Sequence, residues 1–184
     1  MPIHGVAVTI PEPWGPRLQA AREEFGDPMA AAIPPHVTLL PPTLIAPHLM
    51  GEFLGHLRAV TSVVEPFAMI LSGTGTFRPV SPVVFVQVSR GISHCEALEH
   101  AVRCGPVERP LDFPYHPHVT VAHNLDEASL DRAFESLAAF RCGFMVTAIE
   151  LYQHDDDGVW RVLDSFRLGG DVATVPERRR AVAP

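Results

Sequence analysis

Lysine is missing from this chain: all 14 basic residues are arginines. The gap excludes every mechanism that needs a side-chain primary amine. No lysyl-adenylate can form, so ATP-dependent nucleotidyl-transfer ligation is ruled out, together with a P-loop lysine and a Schiff base. Cysteine is scarce. Cys95, Cys104 and Cys142 are odd in number and lack Cys-x-x-Cys spacing, which predicts buried reduced thiols in a cytoplasmic protein. Long apolar runs are absent as well. The longest, residues 59–71, is interrupted by Glu65 and Pro66 and falls short of the ~20 residues a membrane span needs. Met1-Pro2-Ile3-His4 carries no basic segment followed by an apolar one, so no signal peptide is expected. Positive net charge is lacking too. At −7 the chain is a poor general coat for nucleic acid, which needs many phosphate-facing cations. A small phosphate site with a local positive field is still allowed.

What the sequence does contain is one short pattern twice. Pro35-His36-Val37-Thr38 lies in the first half and Pro117-His118-Val119-Thr120 in the second. Each continues into β-branched and apolar residues, which is strand composition. Side chains at i and i+2 of a strand share a face. His36 and Thr38 therefore point one way with Val37 opposite, and His118 and Thr120 do the same. Two such pairs across a groove would grip one tetrahedral phosphate at four points, with a proton carrier on each side. Imidazoles titrate near neutrality, so one can act as base while the other acts as acid.

The elements between the motifs follow hydrophobic period and punctuation. Residues 5–10 predict a strand. Residues 14–25 predict a helix with Trp14, Leu18, Ala21 and Phe25 on one stripe. The first motif strand is expected to close at Pro41-Pro42. A helix is expected over 46–60 and a strand over 67–77. The Gly73-Thr74-Gly75 interruption there suggests a bulge or a close backbone approach. Residues 83–88 predict a strand. Residues 93–102 predict a helix with Ser93 and Glu96 as a capping box. After the second motif strand, at about 118–122, a helix is expected over 127–140, capped by Asp126. A hairpin of 144–153 with 159–168 closes the pattern. Both halves run strand, helix, motif strand, helix, strand, which implies an internal duplication. The expected fold is α+β: two pseudo-symmetric lobes, each an antiparallel sheet with helices packed outside, and a central groove between them. One domain over residues 1–168 and a flexible tail over 169–184 with Arg178-Arg179-Arg180 complete the organisation.

The paired tetrads, His36-Val37-Thr38-Leu39 and His118-Val119-Thr120-Val121, resemble the repeated His-x-Thr/Ser-x signature of the two-histidine (2H) phosphoesterase superfamily. This is also called the 2′-5′ RNA ligase-like family. Phe113–Ala122 and Leu151-Tyr152-Gln153, followed by Trp160–Leu168, are similar to a bacterial subgroup of phosphoesterases. The resemblance implies a metal-independent phosphodiesterase acting on a 2′,3′-cyclic phosphate of a nucleotide or RNA end. It equally allows reversible making and breaking of 2′-5′ linkages without ATP. It casts His36 and His118 as acid and base, with His118 serving the water and His36 the leaving oxygen. It makes Thr38 and Thr120 donors to the phosphate oxygens. No cofactor is implied, and a monomer in the cytoplasm is expected.

Phe77, Tyr115 and His116 flank the motifs and are candidates for substrate binding, the aromatics as platforms for a base. His116, His118 and His123 could be drawn together as a zinc set. Pro117 and the lack of a carboxylate or thiol weaken that reading, and no metal site is expected. His48, His56, His94 and His100 fall on predicted helices and are expected at the surface. The acidity of the chain favours a small cyclic phosphate or an RNA end over a polynucleotide. The rival readings are a nucleotide- or phosphate-binding module without turnover, a metal-dependent hydrolase, and an interaction protein that works through the tail.

Overall fold

Among the described residues eight strands and four α-helices arise where the hydrophobic period changes between two and three to four residues. They are described by a computed structural model that covers residues 3–155 and 157–170. The predicted tail lies outside the described residues except for Gly169 and Gly170. The Gly169 N–H bonds the carbonyls of Thr61 and Val64 at 3.0 and 2.7 Å, so Gly169 is held to the body of the fold.

The chain runs β1 (Ile3–Thr9), α1 (Trp14–Glu24), β2 (His36–Leu44), α2 (Met50–Ser62), β3 (Phe67–Thr76), β4 (Val83–Arg90) and α3 (Ile92–Arg103). It continues through β5 (His118–His123), α4 (Glu127–Ser136), β6 (Arg141–Val146), β7 (Ala148–His154) and β8 (Trp160–Arg167). Two four-stranded antiparallel sheets form, in the orders β2-β1-β7-β8 and β5-β4-β3-β6. Exchanging the sheets superposes their roles: each motif strand is an edge, and the first strand of its own half is its neighbour. The third strand in each sheet comes from the other half. β3 follows α2 of the first half yet pairs with β4, and β7 follows α4 of the second half yet pairs with β1. Helices cover the outer faces, and one continuous apolar core joins both lobes. Val37 and Val119, both fully buried, anchor the motif strands, each contributing about 1.5–3 kcal/mol by burial. Among the described residues no helix is long and apolar enough to cross a membrane.

Several boundaries differ from expectation. β2 passes through Pro41-Pro42 to Leu44. An edge strand tolerates missing N–H donors, and the ladder with β1 is irregular where the prolines sit. α3 starts at Ile92, with Gly91 at φ 96° ahead of it and no side-chain cap, so the Ser93–Glu96 capping box is not formed. The left-handed turn that glycine permits takes its place. Helix 46–60 begins as a 3₁₀ turn, Pro47–Leu49, and becomes α-helical only from Met50. Helix 127–140 stops at Ser136; Asp126 caps it by accepting from the Ser129 N–H at 3.0 Å. The strand predicted over 144–153 is two strands, β6 in one sheet and β7 in the other, separated only by Thr147. The alternation slips by one position at the change of sheet: Cys142 and Val146 are buried in β6, Ile149 and Leu151 in β7. Of the cysteines, Cys95 and Cys142 are buried but Cys104 is exposed. His56 is half-buried and bonds the Ala101 carbonyl at 2.9 Å, joining α2 to α3.

Gly73-Thr74-Gly75 gives both features expected of it. The ladder shifts register between Leu71 and Thr74, and Gly73 takes φ 70°. A Cβ on Gly75 would stand 2.5 and 2.6 Å from the Phe85 ring. Gly75→Ala is therefore expected to lower stability by ~1–3 kcal/mol, the usual range for overpacking. Gly55→Ala, on α2 with nothing within 4 Å, should be neutral or stabilising by up to ~1 kcal/mol. Urea midpoints at constant m-value measure both; equal midpoints for the two variants would contradict the packing described.

Candidate active site

The two motif strands repeat one burial pattern: buried proline, half-buried histidine, buried valine, half-buried threonine. β2 and β5 lie side by side as the facing edges of the two sheets, each paired on its other flank. The helix behind each belongs to the other half: α3 packs on β2 and α1 on β5. Both valines thus point to the core, and both histidine–threonine pairs are left facing the groove between the lobes.

The imidazoles are held identically. His36 Nδ1 lies 2.7 Å from the Pro34 carbonyl, and His118 Nδ1 lies 2.7 Å from the His116 carbonyl. A carbonyl can only accept, so Nδ1 carries the proton in each neutral ring and Nε2 keeps its lone pair. Burial pushes both pKa values below the usual 6.5. The carbonyl bonds work against this, raising both; Arg22 lowers His36 further, and His116 and His36 lower His118 further. His118 therefore feels the charge of His36.

Their surroundings differ. His36 stacks on Trp160 at 5.8 Å between centroids and 17° between planes, with Tyr152 at 6.4 Å. Gly5 makes room, since a Cβ there would stand 2.8 Å from the Trp160 ring. His118 instead meets the edge of Phe77 at 5.0 Å and lies near Phe85 at 5.1 Å and His116 at 6.1 Å. Beside Tyr152 a short chain of hydroxyls forms. The Thr9 hydroxyl donates to Glu150 at 2.8 Å, so the Tyr152 hydroxyl must donate to Thr9.

Two cavities open on either side of this pair. The first, about 580 Å³, is lined by Thr38, Phe77, Tyr115, His116 and His118 among others. The second, about 440 Å³, is lined by His36, Thr38, Thr120, His123, Asn124 and Trp160 among others. Thr38 belongs to both, so they adjoin at the motif strands. All seven residues singled out from the sequence therefore line this paired space. Tyr115 also serves the fold, because its hydroxyl donates to the Thr38 carbonyl at 2.9 Å and ties the segment before β5 to β2. Burial raises its pKa, so the phenol stays a donor.

Sequence reasoning missed Arg22, Thr9, Glu150 and Tyr152, and gave Trp160 no role. Arg22 is buried, pairs with Asp27 at 2.9 Å, and donates to the Ile33 carbonyl at 2.5 Å. It thereby fixes the loop that ends in Pro34, whose carbonyl holds His36. The available signal was its position four residues after Leu18, inside the apolar stripe of α1. Arg78, next to Phe77, and Arg161, in the last strand, are engaged by Glu127 and Asp131 and by Asp155 and Asp157 respectively. Among the described residues no three His, Cys, Asp or Glu side chains converge to hold a metal ion. His116 and His123 line different cavities.

Comparison with known proteins points the same way. A protein of Halalkalibacterium halodurans named "Putative phosphoesterase BH1439" is 28% identical over 168 residues, covering 90% of this chain and 97% of that one. The fold resembles the crystal structure of TT0787 of Thermus thermophilus, with TM-score 0.64, 22% identity and coverage of 92% and 99%. It also resembles E. coli LigT complexed with 3′-AMP, with TM-score 0.63, 18% identity and coverage of 91% and 98%. The family model of the 2′-5′ RNA ligase superfamily matches residues 10–158, a span that holds both motif strands. With that match over most of its length, the chain belongs to the 2′-5′ RNA ligase superfamily.

Proposed function

We propose that the chain is a metal-independent phosphodiesterase that opens 2′,3′-cyclic phosphates of nucleotides or RNA ends, and by reversal can join 2′-hydroxyl and phosphate. The observation that carries this reading is the matched pair of imidazoles, each locked through Nδ1 to a carbonyl and each keeping Nε2 for the groove. The relatives' name as phosphoesterases and the 3′-AMP bound by LigT support the same substrate class.

One neutral imidazole takes a proton from water through Nε2 as the water oxygen forms its bond to phosphorus. The P–O bond to the ribose oxygen breaks, and the other imidazole, protonated at Nε2, gives its proton to that oxygen. Thr38 and Thr120 donate to the non-bridging oxygens, where charge accumulates. Turnover leaves the two rings with exchanged protonation. That is the state the reverse reaction needs, and proton exchange with solvent resets it.

With 2′,3′-cyclic AMP in the presence of EDTA, His36→Ala and His118→Ala should each lower kcat/KM by about 10²–10⁴. Thr38→Val and Thr120→Val should each lower it by about 10²–10³. Wild-type rates in both histidine variants would overturn the proposal. Tight binding of the cyclic nucleotide without product would leave a binding module instead. The pH profile follows from the pKa directions. The mechanism needs one ring protonated, and both titrate below 6.5 in the free protein. The optimum of kcat/KM should therefore lie below pH 6.5, with a fall as pH rises through the higher of the two lowered values. Bound phosphate favours the protonated ring, so the basic limb of kcat should lie at higher pH than that of kcat/KM. A kcat/KM optimum above pH 7 would contradict the pKa assignment.

A further inference from the structure

Resting on the phosphodiesterase reading above, we propose that the substrate carries a single anionic phosphodiester and an uncharged apolar or aromatic remainder seated beside His118, and that a second phosphate is rejected. A solitary nucleoside cyclic phosphate fits this description; a 5′-phosphorylated nucleotide, a pyrophosphate or an internal stretch of RNA does not.

The cavity on the His118 side has the size of a small-molecule site, about 580 Å³. Its walls are largely apolar, with Phe77, Val80, Leu111, Phe113, Pro114 and Tyr115 among them. Phe113 is 68% exposed and so has no core to serve; its ring is available to a ligand. Such a surface takes a nucleobase by stacking or an apolar group by burial.

Charge decides the rest. The ionised side chains lining this cavity are Glu99 and Asp112, and no arginine lines it. Glu99 is already engaged by Arg103, which leaves Asp112 as an exposed negative charge at the rim. The adjoining cavity offers one arginine, Arg22, and that one is buried against Asp27 and the Ile33 carbonyl. Arg78, next to Phe77 in the chain, is held by Glu127 and Asp131. Proteins bind phosphate groups with free arginines or lysines or at helix N-termini. Lysine is absent throughout, and no residue from the first turn of any described α-helix lines either cavity. The two imidazoles and two threonines can satisfy one phosphate. Among the described residues no free arginine or lysine lines either cavity to hold a second, and Asp112 opposes it.

The test uses the full chain and three probes: 2′,3′-cyclic AMP, the same compound bearing a 5′-phosphate, and a short oligonucleotide ending in a 2′,3′-cyclic phosphate. The 5′-phosphate should lower kcat/KM at least tenfold, and the oligonucleotide should likewise be at least tenfold poorer than 2′,3′-cyclic AMP. Raising salt from 50 to 200 mM should change kcat/KM for cyclic AMP less than about twofold, whereas a polyanion site loses orders of magnitude over that range. Asp112→Arg should recover at least fivefold on the 5′-phosphorylated probe relative to cyclic AMP. Phe113→Ala should raise KM for cyclic AMP more than it lowers kcat. Calorimetric affinities of His36→Ala for the three probes give the same order independently of turnover. If none of the probes is hydrolysed but the affinity order holds, the phosphodiesterase reading fails and this inference stands. If the 5′-phosphorylated probe or the oligonucleotide is bound and turned over as well as cyclic AMP, this inference fails and the phosphodiesterase reading stands.

Discussion

The hydrogen bond from each motif imidazole to the carbonyl two residues before it governs everything the groove can do. It occupies one ring nitrogen, fixes the tautomer, and leaves a single nitrogen for substrate. Proline makes that bond possible in both strands. Pro35 and Pro117 hold φ near the value their rings dictate and keep the preceding residue extended. Each carbonyl is thus set in place before the histidine side chain begins. On the β2 side the fixing extends a further step, because Arg22 grips the Ile33 carbonyl next to Pro34. A buried cation, a proline and a carbonyl form one line of support ending at His36.

Around this symmetric pair the lobes have diverged. The first lobe surrounds His36 with Trp160, Tyr152 and the Thr9–Glu150 hydroxyl chain. The second surrounds His118 with Phe77, Phe85 and His116. Two glycines perform the same service in the two sheets: Gly5 lies under Trp160 and Gly75 under Phe85. The duplication thus keeps the reacting groups and the space for flanking rings, and changes what fills that space.

Much of this was legible in the sequence. Alternation within His-Val-Thr assigned the buried and groove-facing side chains, and the repeat in both halves paired them. Apolar period located the four helices, and Asp126 read correctly as a cap. What stayed hidden was non-local. That β6 and β7 belong to different sheets is marked only by a slip of phase at Thr147, from Cys142 and Val146 buried to Ile149 and Leu151 buried, which a short apolar run makes easy to overlook. Arg22 lies within the apolar stripe of α1, but nothing local says that it grips Asp27 and the Ile33 carbonyl. Tyr115 looked like a base platform, and part of its role proved to be a bond to the Thr38 carbonyl. The Gly91 turn displaced a well-formed capping signal at Ser93 because a left-handed glycine at the helix entry overrides side-chain capping.

The exchange of strands between lobes carries a mechanical meaning. β3 leaves the first half to sit inside the second sheet, and β7 returns from the second half to sit inside the first. The chain therefore crosses between the sheets before β3 and again at Thr147, and one apolar core lies across both, so parting the lobes would expose that core to water. A half-length ancestor could have completed such a sheet only by lending a strand to a second copy of itself, which would make the present cleft the fused remnant of a dimer seam.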